Sequence, residues 1–366
     1  MAKRALVAMS GGVDSSVAAY LAKERGFSCI GATMKLFANA DIGESRQKSC
    51  CSLDDVEDAR SVANRLDIPF YVLNLAGDFK RQVIERFIHT YERGGTPNPC
   101  VDCNRYVKFG LLLGRAHELS CDFLATGHYA RIERDAASGR LLLRKAVDTK
   151  KDQSYFLYAM TQEQLSRSLF PLGGLSKEET RLMAAAQGFV NAKKRESQDI
   201  CFVPAGDYAA FIERYTGKYC AAGDFVDKAG NILGRHKGFI RYTIGQRRGI
   251  GIAFPQAMYV AGKCPADNTV TLAPANDLYS QSLVAEGVNW IACAGLSRPL
   301  RVKVKVRYRQ PEEWATVEQI DGEKARVDFE RPQRAVAGGQ AVVFYDGDIV
   351  VGGGTIALHS ENRKSP

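Results

Sequence analysis

The sequence predicts an α/β protein: a doubly wound parallel sheet, followed by a small, mostly β central domain and a C-terminal β-barrel. Over residues 1–128 short apolar runs alternate with stretches of helical period, as in a parallel sheet covered on both faces. From about residue 206 the texture changes to glycine-punctuated short runs such as GDFVDKAGNILG and YTIGQRRGIGI. Beyond about residue 284, strand-like runs follow one another with glycine and proline between them, which suits a barrel or sandwich. The expected domains are 1–205, 206–282 and 283–360.

The chain opens on RALVAMSGGVDSS, residues 4–16. Ala5 to Met9 read as a short buried strand, and Gly11 and Gly12 allow a turn that a Cβ would obstruct. Val13, Val17, Ala18, Leu21 and Ala22 have the helical period, so Asp14 and Ser15 stand on a first helical turn. Strand, glycine turn and helix start make a nest of backbone N–H groups that suits an anion, although a plain tight turn uses the same glycines. No lysine follows, so this is neither G-x-x-x-x-G-K-[ST] nor G-x-G-x-x-G.

Further on, Cys29 to Met34 reads as a second strand and Leu36 to Cys50 as a loop. Ser52 opens a helix with Asp55 in capping-box spacing, and Val56, Ala59, Ala63 and Leu66 follow at helical intervals. Phe70 to Leu75 is a third strand and Phe79 to Tyr91 a helix. The two prolines of TPNPCVDCN, residues 96–104, predict a rigid turn. A helix through Phe109, Leu112, Leu113 and Ala116 precedes a strand at Phe123 to Thr126, which ends in Gly127 and His128. Ala130 to Val147 reads as an antiparallel hairpin around Ser138-Gly139, added to the first domain. Helical segments follow at Ser154 to Met160 and Ser176 to Gln187, the latter with Ser176 and Glu179 in capping-box spacing. Tyr208 to Tyr215 is a short helix. The barrel strands are expected at Arg301 to Tyr308, Trp314 to Gln319, Ala325 to Phe329, Ala341 to Tyr345 and Ile349 to Ala357. The residues after His359 are polar and read as disordered.

In 366 residues, 50 basic against 41 acidic side chains give a net charge of +9, which favours a polyanionic partner. Nothing at the start resembles a signal peptide, and no run of about 18 apolar residues offers a membrane span. The expected setting is the cytoplasm, whose reducing conditions turn the ten cysteines toward chemistry or metal rather than bridges. Cys100 and Cys103 form a C-x-x-C, which reads as a zinc half-site, a redox pair or coincidence, and no second C-x-x-C completes a zinc site. Cys201 lies between Ile200 and Phe202 like a buried core thiol. Lys193, Lys194 and Arg195 in KKRESQD (193–199) offer it positive charge instead, which lowers a thiol pKa.

SGGVDSS resembles the pyrophosphate-binding loop of the ATP pyrophosphatases, with Ser10, Gly11, Gly12, Asp14, Ser15 and Ser16 facing phosphate. Taken with TPNPCVDCNRYVKF, ATGHYAR, KDQSYFL, ESQDICF and YTIGQRRGIGI, in this order, the chain resembles the tRNA-specific 2-thiouridylase family from end to end. That resemblance implies an N-terminal ATP-pyrophosphatase domain, a small central domain and a C-terminal β-barrel. It assigns nucleotide contacts to Ala8, Met9, Ser10, Gly11, Gly12, Val13, Asp14 and Ser15, to Met34 beside the adenine, and to Gly127. It makes Cys103 the nucleophile and Cys201 the persulfide carrier, and puts Asn98, Pro99 and Cys100 beside the target base. Further tRNA contacts fall on His128, Lys151, Asp152, Gln153, Arg307, Tyr308 and Gln340. Lys193 to Arg195, Arg247, Arg248 and Arg301 to Arg309 add positive charge in all three domains.

The implied reaction is 2-thiolation of the wobble uridine of tRNAs for glutamate, glutamine and lysine, using ATP and Mg²⁺. Sulfur comes from a persulfide-donor protein, and a thiol reductant reopens a Cys103–Cys201 disulfide. Many relatives carry an aspartate where this chain has Cys100. Cys100, Cys103 and Cys201 therefore also have the composition of a [4Fe–4S] ligand set with one open position. Two other classes share parts of the pattern: an ATP pyrophosphatase acting on a small molecule, and a non-catalytic RNA-binding protein.

Overall fold

The structure is a computed structural model that describes residues 2–37, 53–194, 200–203 and 206–358. The expected loop from residue 38, Cys50 and Cys51, the cap at Ser52, residues 195–199 and the tail after 358 lie outside the described residues.

The short apolar runs become β1 (Arg4–Ala8), β2 (Ser28–Lys35), β3 (Phe70–Asn74) and β4 (Phe123–Ala125). The chain next forms a hairpin of β5 (Ala130–Arg134) and β6 (Leu141–Lys145), then returns for β7 (Ser168–Leu169). The parallel sheet has the order β3-β2-β1-β4-β7. Ala5 stands opposite both Cys29 and Phe123, so β1 is central. Successive strands step outward from β1 to β3 and then jump to β4. The crevice for ligands therefore opens at the carboxyl ends of β1 and β4. Alternation on β1 splits its side chains between two cores. Ala5 and Val7 pack on Val17, Ala18, Ala59, Val62 and Ala184 of three helices, Val13–Glu24, Leu53–Arg65 and Lys177–Ala186. Leu6 packs on the other face with Ile30, Leu124, Phe109 and Leu112. The sheet is doubly wound.

The expected turn at 96–104 is instead a helix start. Asn98 caps it, its Oδ1 accepting the Val101 N–H at 3.4 Å, and Pro99 takes the first helical position, where a missing N–H costs nothing. Helix continues through Pro99–Asp102, a π-wound Cys103–Leu112 and Leu113–Glu118. Such wide turns are frequent at functional sites.

The central domain has β8 (Gly223–Val226), β9 (Ile232–His236), β10 (Met258–Cys264) and β11 (Thr269–Pro274), in the order β10-β11-β8-β9. The last domain comprises β12 (Tyr279–Trp290), β13 (Leu300–Lys305), β14 (Glu313–Gln319), β15 (Lys324–Arg334), β16 (Ala341–Asp346) and β17 (Ile349–Ile356). Alternation turns Val302, Val304, Ala315, Val317, Val327 and Phe329 into its interior, and pairing of β12 with β17 closes the barrel. The expected strand from Arg301 to Tyr308 ends at Lys305, so Arg307 and Tyr308 lie beyond its edge.

The hairpin forms, but it does not extend the first domain's sheet. β6 pairs with β17, Leu143 opposite Val350, so both hairpin strands prolong the barrel sheet. Arg131 and Arg144 each donate to Asp348 at 2.7 Å. One core runs from Leu6 and Leu124 through Leu143 and Tyr155 to Val343 and Tyr345. The first and last domains are packed as one body.

A second junction is aromatic. Phe202 meets Phe79, Phe87 and Phe211 with ring centroids 5.7, 5.2 and 5.4 Å apart. Phe87 is fully buried there, and its replacement by alanine leaves a cavity that the surrounding rings cannot fill. Phe87→Ala should lower unfolding free energy by about 3–5 kcal/mol in urea titration; a loss under about 1 kcal/mol would mean that the cluster collapses around the gap.

Candidate functional site

The loop after β1 meets the crevice. Gly11 has φ +72°, and a Cβ there would lie 2.3 Å from the Asp55 carbonyl oxygen. Gly12 precedes the helix in extended conformation with no side-chain cap, so the first N–H groups of that helix receive no capping side chain from it. Ser15 and Ser16 both donate to the Gly12 carbonyl at 3.0 Å, and Ser15 Oγ accepts the Ser10 N–H at 3.1 Å. Asn191 Nδ2 holds the Gly11 carbonyl at 3.0 Å and Ser16 Oγ at 2.9 Å. Across the crevice, a Cβ on Gly127 would come within 2.8 Å of Asp14 C and Ser15 N. Ala8 and Met9 close β1, and half-buried Met34 stands near the end of β2. Val13 is buried at the helix start, so the loop's ligand surface is backbone and hydroxyl.

Asp14 is half-buried and its carboxylate is engaged. Its carboxylate accepts two bonds from Lys177 Nζ, at 2.7 and 2.8 Å, and one from Tyr129 OH at 2.9 Å. Both oxygens are engaged, so Asp14 as placed does not fit a magnesium ligand. Lys194 likewise pairs with Asp55 and Asp58, at 2.7 and 2.5 Å, beside Gly11. Its charge is therefore directed at that acidic pair and not, as expected from sequence, at Cys201. Lys177 and Asn191 had no local signature, and Tyr129 and Lys194, though within ATGHYAR and KKRESQD, reach the loop from distant segments that no spacing links to it.

The helix start presents Cys100 exposed and Cys103 half-buried, one turn apart. Cys103 and Cys201 both pack against the cluster of Phe79, Phe87 and Phe202, and Met34 borders that cluster as well as the sheet core. Burial pushes the Cys103 thiol up; Lys108 opposes this and Asp102 adds to it. Burial also raises Asp102, to about 6, against the pull of Arg86 and Arg105. Among the described residues no three His, Cys, Asp or Glu side chains group as metal ligands. Cys100, Cys103 and Cys201 as arranged do not fit a [4Fe–4S] cluster.

Comparison with known proteins covers nearly all of the chain. Residues 3–205 match the family described as the tRNA methyl transferase HUP domain, 209–274 its PRC-barrel domain and 280–356 an aminomethyltransferase β-barrel domain. The chain is 49% identical over 356 residues to the tRNA-specific 2-thiouridylase MnmA of Clostridioides difficile, covering 97% of this chain and 98% of that protein. It is 50% identical over 367 residues to the enzyme of the same name from Geotalea uraniireducens, covering 99% and 97%. The chain belongs to the tRNA-specific 2-thiouridylase family. Acetivibrio thermocellus has another member at 50% identity over 355 residues, covering 97% of this chain and 99% of that one.

Several residues that the family resemblance assigns to tRNA are occupied within the fold. Asp152 is buried and accepts from Ala146 N–H, Ser154 N–H and Ser154 Oγ at 3.0, 3.2 and 2.8 Å. Gln153 Oε1 accepts the Tyr129 N–H at 3.0 Å. Arg307 Nη2 donates to Ile244 and Ala335 carbonyls at 3.0 and 2.9 Å, tying central domain to barrel. Gln340 holds the Thr96 and Pro97 carbonyls at 3.0 and 2.8 Å. Lys151 is half-buried, and the Tyr308 ring lies tilted against that of Phe156, centroids 4.4 Å apart.

His128 is 8% exposed, beside the rings of Phe109 and Phe170 at 5.7 and 5.8 Å. Its Nδ1 pairs with Thr126 Oγ1 at 2.7 Å and its Nε2 with Lys108 Nζ at 3.4 Å. Burial, aided by Lys108, holds its pKa well below the usual 6.5. The unfolded chain therefore takes up this proton first, and the associated stability is whole above about pH 6.5 and lost as pH falls toward the folded value. His128→Gln should flatten this part of the urea-stability profile relative to the parent between about pH 7 and 5. An identical slope in the two proteins would mean that the ring titrates alike in the folded and unfolded chain.

Proposed function

We propose that the protein is a cytoplasmic, ATP-dependent tRNA-uridine 2-sulfurtransferase that adenylates O2 of the wobble uridine and replaces it with persulfide sulfur. One observation carries the reading: Met34, near the carboxyl end of β2 beside the loop-bearing β1, packs both on the sheet core and on the cluster that Cys103 and Cys201 border. That packing supports a nucleotide and thiols acting at one place.

The triphosphate lies over Ser10 to Ser16, against N–H groups at a helix start, with adenine beside Met34 and near Gly127. Magnesium would neutralise phosphate charge there, and the phosphates rather than Asp14, which Lys177 and Tyr129 engage, would hold it. Uridine O2 attacks the α-phosphorus and pyrophosphate leaves, which converts a poor leaving oxygen into AMP. A donor protein loads the outer sulfur onto Cys201. That sulfur attacks C2 and AMP departs; Cys103 thiolate then attacks Cys201 Sγ, and the C2-bound sulfur leaves as the thiocarbonyl. Alternatively Cys103 attacks first and releases hydrosulfide, which attacks C2. Either route ends in a Cys103–Cys201 disulfide, and a dithiol supplies the two electrons that reopen it. The wobble base must leave its loop to enter the pocket, an easier step than opening a duplex. The expected substrates are the tRNAs for glutamate, glutamine and lysine.

A small-molecule ATP pyrophosphatase or a non-catalytic RNA binder would leave Cys103 and Cys201 without a task. The methyl-transfer wording of the first-domain family leaves the nucleotide loop idle as well. Nucleoside analysis of tRNA incubated with ATP and a persulfide donor should show 2-thiouridine. Cys103→Ser and Cys201→Ser should abolish it under every sulfur supply, while metal-free protein and Cys100→Ser keep measurable turnover. Activity that tracks iron and vanishes with Cys100 would falsify the persulfide route.

Arg247, Arg248 and Arg309 are exposed, in central and barrel domains, and suit phosphate contacts along one tRNA. Affinity for tRNA should fall steeply with salt, because each neutralised phosphate releases counterions. A flat dependence in a salt titration contradicts this surface.

A further inference from the structure

Five residues separate Cys103 from Lys108, a spacing that parts two side chains in an α-helix, where neighbours on one face lie three or four apart. The stretch Cys103–Leu112 is π-wound, however, and its turns close five residues apart, so Cys103 and Lys108 stand at the two ends of one wide turn. The Lys108 charge reaches the Cys103 thiol. Its ammonium is held by a second element. Lys108 Nζ lies 3.4 Å from Nε2 of His128, just past the end of β4. An ammonium only donates, so Nε2 is the bare nitrogen and Nδ1 carries the proton, which it donates to Thr126 Oγ1 at 2.7 Å. Thr126 is buried, and Phe109 and Phe170 pack beside the imidazole. Tautomer and ring are thereby fixed, with one lone pair aimed at Lys108. Both ring nitrogens are then engaged inside the protein. Among the described residues no carboxylate forms an ion pair with Lys108. A half-buried ammonium whose hydrogen-bond partner is a neutral ring keeps its charge available for another group.

We propose that Lys108 is a catalytic cation of the sulfur-transfer step: held in place by His128, it stabilises the thiolate of Cys103 as that thiolate forms and attacks Cys201. This rests on the reading of Cys103 as the nucleophile. Cys103 gives up its proton, its sulfur bonds to Cys201 Sγ, and the bond from Sγ to the C2-bound sulfur breaks. The electron pair leaves with that sulfur as 2-thiouridine, whose N3 takes up a proton, so one proton is released and one is bound. Lys108 keeps its own protons throughout and contributes charge alone, in a place where burial makes charge effective. The charges acting on Cys103 are Lys108 and, with the opposite sign, Asp102. Asp102 belongs to the same run of helix, and Arg86 and Arg105 act on it in turn. His128 adds no charge, because burial keeps its ring neutral, and it serves as a positioning residue that acts through Lys108.

The test reads the sulfur itself and needs no tRNA. The full-length parent, Lys108→Met, Lys108→Arg, Asp102→Asn, His128→Phe and the double variant Lys108→Met/His128→Phe are treated with iodoacetamide at about pH 8, below the usual range of a buried thiol. Peptide mass spectrometry follows the alkylation rate of Cys103, with half-buried Cys264 of the central domain as the reference thiol, and thermal melts report on folding. Alkylation follows the thiolate, so Lys108→Met should slow Cys103 by about 10- to 100-fold and leave Cys264 unchanged. Lys108→Arg should keep most of the parent rate, and Asp102→Asn should raise it. His128→Phe should slow Cys103 less than Lys108→Met does, and the double variant should be no slower than Lys108→Met alone. A merely structural lysine forecasts a different pattern: loosening the helix exposes the thiol, so Lys108→Met and Asp102→Asn would both speed its alkylation. That pattern overturns the proposal. So does parent-like alkylation of Cys103 in a folded Lys108→Met, including the case in which that variant loses only tRNA affinity. Formation of 2-thiouridine from tRNA, ATP and a persulfide donor, measured on the same proteins, should fall with Cys103 reactivity in Lys108→Met. A parent that makes no 2-thiouridine sinks the reaction assigned above, whereas the alkylation rates alone decide the action of Lys108 on Cys103.

Discussion

Gln340 spends both protons of one amide on two consecutive carbonyls, those of Thr96 and Pro97, and the position of Cys103 depends on that contact. Thr96 N–H in turn donates to the Gly338 carbonyl at 2.8 Å, and a Cβ on Gly339, at φ +88°, would stand 3.1 Å from the Thr96 carbonyl oxygen. From the central domain, Lys263 Nζ donates to the Gly95 carbonyl at 3.2 Å and lies 5.6 Å from the Tyr91 ring. Burial lowers this lysine to about 8. The segment that starts the cysteine helix is therefore held by side chains from both other domains. Cysteine geometry is a property of the whole chain.

The hairpin of β5 and β6 has the complementary role. It leaves the parallel sheet directly after His128 and pairs with the barrel, so the nucleotide crevice and the barrel are joined through Leu143 and Val350. Asp348 binds both Arg131 and Arg144, which fixes the register of that seam, although partial exposure keeps the energy of each pair modest. The shared core of Leu6, Tyr155 and Tyr345 stabilises the junction more, because apolar burial there is complete. Barrel and crevice thus share one packed core.

The elements legible in the sequence were those whose signal is local. The period of Val13, Val17 and Ala18 is set within one element and emerged as read, and the strand expected from Arg301 to Tyr308 formed but stops at Lys305. The capping box of Ser176 and Glu179 did too. Pro99 misled because proline both ends segments and starts helices; Asn98 in front of it was the deciding residue. β12 escaped because a register shift between Glu286 and Asn289, with Gly287 at φ +57°, breaks its alternation. β7 has two residues, too few for any period. The partners of Asp14, Asp55 and Gln340 come from far along the chain, and no spacing encodes them.

One charge shows how burial, not proximity, decides protonation at this site. Lys108 sits against His128 and also acts on Cys103, and in both cases its field favours the deprotonated form. For His128 that form is neutral, so desolvation and Lys108 work in the same direction and the ring carries no charge. For Cys103 the deprotonated form is charged, so desolvation opposes Lys108 and outweighs it. Cys103 consequently rests as a thiol, whereas cysteines that react freely with disulfides in solution are held as thiolates by positive surroundings.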